Sequence, residues 1–252
     1  MTAAYAALAG VAGLLFGSFF NVVAHRIPRG ESIVSPGSRC PSCDTPIRPY
    51  DNVPVLSWLW LRGRCRSCGE PISPRYPLVE LGTGVLFAAV VLSKGADRDA
   101  WLGLLFVSIL VPVTLIDLDH RIIPNRIVVP GALAGAVIVA LLDLDALPEH
   151  LIAAVAAGGF FLLAVLAYPR GMGMGDVKLA GLMGIFLGRA VAPALLVALL
   201  SGTLIGALII ARKGAKEGRK TAVPFGPFLA LGGLAGLFAG DEIVDWYQDT
   251  YL

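Results

Sequence analysis

The chain has 252 residues, of which 56% are hydrophobic and only 15% charged, against about a quarter charged in an ordinary soluble domain. That apolar excess excludes a single soluble globular domain. The net charge of +2, with no clustered basic face, excludes a nucleic-acid-binding module.

The first apolar run is Ala3–Ala24. No charged side chain precedes its end, and His25, Arg26 and Arg29 follow it. A cleaved signal peptide carries its positive charge in front of the apolar core, so this order predicts a retained helix with its N-terminus outside. Residues 25–76 come next, rich in Pro, Gly, Cys and Arg and without apolar periodicity long enough for a helix of their own. Further apolar runs follow at Pro77–Ser93, Trp101–Ile116, Ile127–Leu142, Leu151–Tyr168, Val177–Leu187, Ala190–Ala211 and Phe225–Gly240. A membrane crossing takes about 20 residues, and most of these runs reach that length with their flanks. Val177–Leu187 is the short one, with a tight turn expected at Gly188–Arg189. No repeat of 20 to 50 residues is apparent by inspection.

Charge supports eight spans. With the N-terminus outside, the connections 25–76, 117–126, 169–178 and 212–220 face the cytoplasm and hold 17 of the 20 Lys and Arg residues, the asymmetry that sets orientation. Merging residues 177–211 into one span would put the basic 212–220 connection on the wrong side. The expected fold is an all-α polytopic membrane protein of about eight transmembrane helices, with a small zinc-ribbon-like cytoplasmic insert between the first two. The expected domains are a first transmembrane helix (1–24), a four-cysteine zinc-binding insert (25–76) and a membrane-embedded catalytic domain (77–252).

All four cysteines lie in the insert, as Cys40-Pro-Ser-Cys43 and Cys65-Arg-Ser-Cys68, with 21 residues between the pairs. This is the spacing of a four-thiolate zinc site. Gly69, directly after the second pair, suits a turn that needs positive φ. Disulfides do not fit a reducing cytoplasm, and a loop this poor in apolar residues lacks a core of its own. The expected ligands are Cys40, Cys43, Cys65 and Cys68. With no open position for water, the zinc is expected to be structural.

Carboxylates at membrane depth are functional candidates by default. Asp117 and Asp119 end the third apolar run in Ile116-Asp117-Leu118-Asp119-His120, and Asp176 begins the sixth in Gly173-Met174-Gly175-Asp176-Val177-Lys178. Both sites fall on the cytoplasmic side, so two packed helices would bring a pair together. Two carboxylates sharing a proton can activate water against a peptide carbonyl. Residue chemistry alone leaves Asp119 beside Asp117 as a candidate. It also leaves open a proton-coupled transporter, which often shows inverted repeats, and a zinc-dependent scaffold, which would give the aspartates no role.

These motifs, in this order, resemble the bacterial type IV prepilin peptidases, whose Gly-x-Gly-Asp site relates them to presenilin-like intramembrane proteases. Gly17-Ser18-Phe19-Phe20-Asn21-Val22 and Arg26-Ile27-Pro28 carry the start of the likeness. The two CxxC pairs, Arg75-Tyr76-Pro77-Leu78-Val79-Glu80, the Asp117 and Asp176 motifs, Ile123-Pro124-Asn125 and Val223-Pro224-Phe225-Gly226-Pro227 continue it. The resemblance implies that Asp117, seven residues before Pro124, and Asp176 are the catalytic pair. It implies precursors of type IV pilins and pseudopilins as substrates, cut after a glycine at the cytoplasmic face of the inner membrane. It further implies methylation of the new N-terminus from S-adenosylmethionine. The lipid bilayer is the other expected partner, and nucleic acid is not one.

Overall fold

The computed structural model describes residues 1–168, 172–214 and 223–251. Gly171 and parts of the basic connections 169–178 and 212–220 lie outside the described residues. The chain forms two compact units, Met1–Pro112 and Val113–Leu252.

In the first unit α1 (Thr2–Arg26) and α3 (Arg75–Lys94) run antiparallel. Small residues set their closeness: Gly13 meets the backbone of Thr83 and Gly84, and Gly17 meets Glu80. The Asn21 side-chain amide donates to the Tyr76 carbonyl at 3.3 Å. Between them the insert holds a 3₁₀ turn at Pro49–Asn52 and a five-residue helix, α2 (Leu56–Trp60). No helical signal is visible there in the sequence, because five residues are too few for a periodicity. Helix α4 (Arg98–His120) carries Pro112 inside it and crosses from the first unit into the second.

The second unit contains the end of α4, then α5 (Asn125–Leu142), α6 (Leu147–Ala167), α7 (Met174–Leu187), α8 (Val191–Lys213) and α9 (Gly226–Tyr251). Among the described residues seven helical stretches are long and apolar enough to cross a membrane, and one of them, Met174–Lys213, has 40 residues. At 1.5 Å per residue that stretch would be about 60 Å long, roughly twice a hydrocarbon core. It does not run straight. A 3₁₀ turn at Gly188–Ala190 breaks it, with Gly188 at φ +52° where an L side chain is strained. Neighbours show the reversal. Helix α9 lies with Gly240 against Ala190, Gly232 against Ala194 and Ala198, and Phe225, just before it, against Gly202. Helix α7 descends from Asp176 to the level of Ala190, and α8 returns to the level of Phe225. The stretch is therefore two antiparallel helices, α7 of 14 residues and α8 of 23, and not one straight span, a reversal that agrees with the parity of the basic connections.

The turn is pinned from three sides. The Arg189 N–H donates to Glu149 Oε1 at 3.0 Å, His150 Nδ1 meets the Ile185 carbonyl at 2.8 Å, and the Arg189 guanidinium reaches Asp245 at 2.8 Å. Helix α9 thus extends past the apolar run that ends at Gly240, carrying Asp241 and Asp245 to Arg189.

Candidate active site and metal centre

Among the described residues the buried charged side chains are Glu80, Asp117 and Asp176. Asp117 sits on the last turn of α4 and is 5% exposed; Asp176 is the third residue of α7 and is 8% exposed. Asp119, two residues on, faces outward. The fold thus separates two carboxylates that residue chemistry leaves equivalent.

Burial needs compensation, because an unpaired polar group loses its water. Both aspartates obtain a main-chain donor. The Gly226 N–H, one of the four unpaired amides at the start of α9, donates to Asp117 Oδ2 at 2.8 Å. The Gly173 N–H, at the N-cap of α7, donates to Asp176 Oδ2 at 3.0 Å, one half of a capping box. Each carboxylate is oriented by a helix start, and the two lie within electrostatic reach of each other. The absence of a side chain at Gly226 makes room for this bond: a Cβ would stand 2.6 Å from Asp117 Oδ2 and displace it.

The connecting segments fix this meeting. Ile123 packs on Gly175, and Lys178 Nζ donates to Asn125 Oδ1 at 2.9 Å, so the Ile-Pro-Asn and Gly-Met-Gly-Asp segments are held together. The ring of Phe225, beside Gly226, packs against Phe161 and Phe228. In the sequence, Val223–Pro227 reads as a helix start with no part in the site. The proline just inside that helix marks the start, but nothing local says which carboxylate the first amide receives.

The four cysteines meet in the insert. Their sulfurs all lie within 4.8 Å of one another, with Cys40 and Cys68 Sγ 3.8 Å apart. Four sulfurs at about 2.3 Å from a tetrahedral zinc ion stand roughly 3.8 Å from each other, so the thiols fit such an ion as a closed set. The thiols are free, with no disulfide among them. Hydrogen bonds from Thr45 lower the Cys43 thiol to about 6, and the Cys68 and Ser67 amides lower Cys65. Cys68 rises to about 12: its bond from the Glu70 N–H favours the thiolate, but partial desolvation and the three neighbouring sulfurs outweigh it. Four thiolates need a cation to coexist.

The insert also contains a 25-residue repeat, which corrects the reading that no repeat of 20 to 50 residues is present. Cys40 N–H donates to the Thr45 carbonyl at 3.0 Å and Asp44 N–H to the Cys40 carbonyl at 2.9 Å. Twenty-five residues on, Cys65 N–H donates to the Glu70 carbonyl at 2.8 Å and Gly69 N–H to the Cys65 carbonyl at 2.9 Å. Asp44 (φ +52°) and Gly69 (φ +75°) occupy the same place in each knuckle, and bridges pair Arg39 with Pro46 and Arg64 with Pro71. The unit reads Arg-Cys-x-Ser-Cys-x-x-Pro-Ile at both Arg39–Ile47 and Arg64–Ile72. Asp51 ties the connection to the second knuckle through a two-pronged bond to Arg66, which holds its carboxyl below the usual range.

Residues 11–94 match the Bacterial Peptidase A24 N-terminal domain, and residues 104–211 match the Type IV leader peptidase family. The chain is 35% identical to the prepilin leader peptidase/N-methyltransferase of Aeromonas hydrophila, an alignment covering 98% of this chain and 95% of that protein. The chain belongs to the type IV leader peptidase family. A second relative of the same name, from Bacillus subtilis (strain 168), is 36% identical over 93% of this chain and 94% of its own length. One from Myxococcus xanthus (strain DK1622) is 46% identical over 70% of this chain and 54% of its own length. No solved structure matches. As a type IV leader peptidase family member with this set of apolar helices, the chain is a multi-pass membrane protein.

Proposed function

We propose that this chain removes the leader peptide of type IV prepilins and pseudopilins by a two-aspartate mechanism, cutting after a glycine at the cytoplasmic face of the inner membrane. The observation that carries the reading is the pairing of Asp117 and Asp176, two buried carboxylates from different helices, each oriented by a main-chain amide. One carboxylate takes a proton from the attacking water and later passes it to the leaving amine. The other, protonated, gives its proton to the scissile carbonyl oxygen and regains it as the tetrahedral intermediate collapses. S-adenosylmethionine would then be the second substrate. The new terminal amine attacks its methyl carbon, the carbon–sulfur bond breaks, and S-adenosylhomocysteine and a proton leave. The relatives' printed name carries this second step. The purified protein, incubated with a full-length prepilin, is expected to shorten it by the mass of its leader, and with S-adenosylmethionine to add one methyl group. An intact prepilin in the presence of folded protein would overturn the peptidase reading.

The working parts in this reading are the first helix (1–24), a zinc-holding insert (25–76) and a peptidase portion (77–252). The N-terminus lies outside and the site faces the cytoplasm, a reading supported by the 17 basic residues in alternate connections. A reporter active only outside the membrane should work at the C-terminus and stay silent after Gly214. The reverse pattern would invert the topology.

A further inference from the structure

The short helix α2 of the insert is apolar on its outer face. Leu56, Leu59 and Trp60, spaced to share one side of a helix, are 65%, 59% and 82% exposed. The opposite face is fixed: Trp58 Nε1 donates to the Ile72 carbonyl at 3.0 Å, and its ring packs on Gly63. The outward face is therefore held in place and does not collapse into the insert.

The height of α2 identifies what covers it. Val55, directly before it, is the centre of a γ-turn with φ +62°, closed by the Leu56 N–H on the Pro54 carbonyl at 2.6 Å. This turn aims the Val55 N–H at Glu80 Oε2, 2.7 Å away. Glu80 is buried in α3 and also bonds Ser18, and its Cα lies against Gly17 of α1. Gly17 is seven residues inside Ala24, where the apolar run of α1 ends, a distance of about 10 Å along the helix. The insert therefore folds back beside the spans, and α2 starts level with membrane-embedded residues. Directly after α2 in the chain come Arg62 and Arg64, both exposed, in a segment (25–76) with eight arginines against four carboxylates.

We infer that α2 is an interfacial helix: Leu56, Leu59 and Trp60 lie at the boundary between acyl chains and headgroups, and Arg62 and Arg64 engage lipid phosphates. Tryptophan concentrates at this depth, and a basic rim on an apolar helix face favours anionic lipid. The inference rests on the multi-pass topology and is independent of the peptidase reading.

The test places the full-length protein in vesicles of phosphatidylcholine and phosphatidylglycerol with chains brominated near the carbonyl end. Trp60 emission is taken as the difference between the protein and its Trp60→Phe variant, with metal content confirming that the insert is folded. A Trp58→Phe/Trp101→Phe/Trp246→Phe variant, with Trp60 as the sole tryptophan, gives the same reading directly. Trp60 should lose most of its emission to the brominated lipid and little to aqueous iodide, with or without prepilin. Quenching by iodide and not by brominated lipid would overturn the inference. Protection from iodide that appears only when prepilin is added would also overturn it, and would assign this face to a protein partner.

Discussion

Asp117→Asn and Asp176→Asn are each expected to abolish prepilin cleavage while leaving an inserted, folded protein. Asparagine keeps the shape of the carboxylate, and its amide oxygen can still accept the Gly226 or Gly173 N–H. It cannot take up and release a proton. General acid–base catalysis contributes roughly 10²–10⁴-fold, and a pair that shares a proton fails as a unit, so each single variant should lose at least about 10³-fold in kcat. Asp119→Asn, on the exposed side of the same turn, should stay within a few-fold of the parent protein. Gly226→Ala belongs in the same series. Its Cβ would press on Asp117 Oδ2, displacing the carboxylate while every titratable group remains. Its expected signature is a fall in kcat with little change in KM. Prepilin turnover at saturating substrate reads all four variants. An active Asp117→Asn with a dead Asp119→Asn would remove the pair proposed here.

What is legible in the sequence, and what is not, follows from the range of the interaction. The spans are visible because each is a run of apolar residues, and the reversal at Gly188 follows from the parity of basic connections on either side of it. The CxxC pairs are readable because their spacing is short and chemically specific. The 25-residue repeat around them is legible too, since six of nine side chains coincide, and only the main-chain hydrogen bonds that build each knuckle are not. The bond from Gly226 to Asp117 joins positions 109 residues apart, and no local pattern encodes which helix start meets which carboxylate. Glu80 stands in a motif that suggests no role for it. Its partner is the amide of Val55, presented by a γ-turn with positive φ at a β-branched residue, a conformation that sequence propensity argues against.

Replacing two ligands of the metal centre should separate the insert from the hydrolytic chemistry. In a Cys65→Ser/Cys68→Ser protein the second knuckle loses both thiols, and bound zinc is expected to fall from one ion per chain to none. Structural zinc contributes on the order of 10 kcal/mol to a small site. Beyond it the insert is anchored by polar contacts such as the Asp51–Arg66 pair, the Trp58 bond to Ile72, the Val55 bond to Glu80 and the Arg26 bonds to the Ser32 and Gly37 carbonyls. The knuckles should therefore unfold, exposing residues 38–72 to protease. In the two-aspartate reading the proton transfers run through Asp117 and Asp176, so water activation needs none of the lost thiols. Hydrolysis at saturating prepilin should persist with a raised KM, while methylation falls away first. Metal analysis, limited proteolysis, cleavage and methyl transfer on one preparation decide the matter. Zinc retained in full would remove the ligand assignment. Complete loss of hydrolysis in a stably inserted protein would mean that the insert completes the catalytic apparatus, since Asp117 and Asp176 would then be insufficient with their own helix-start amides intact.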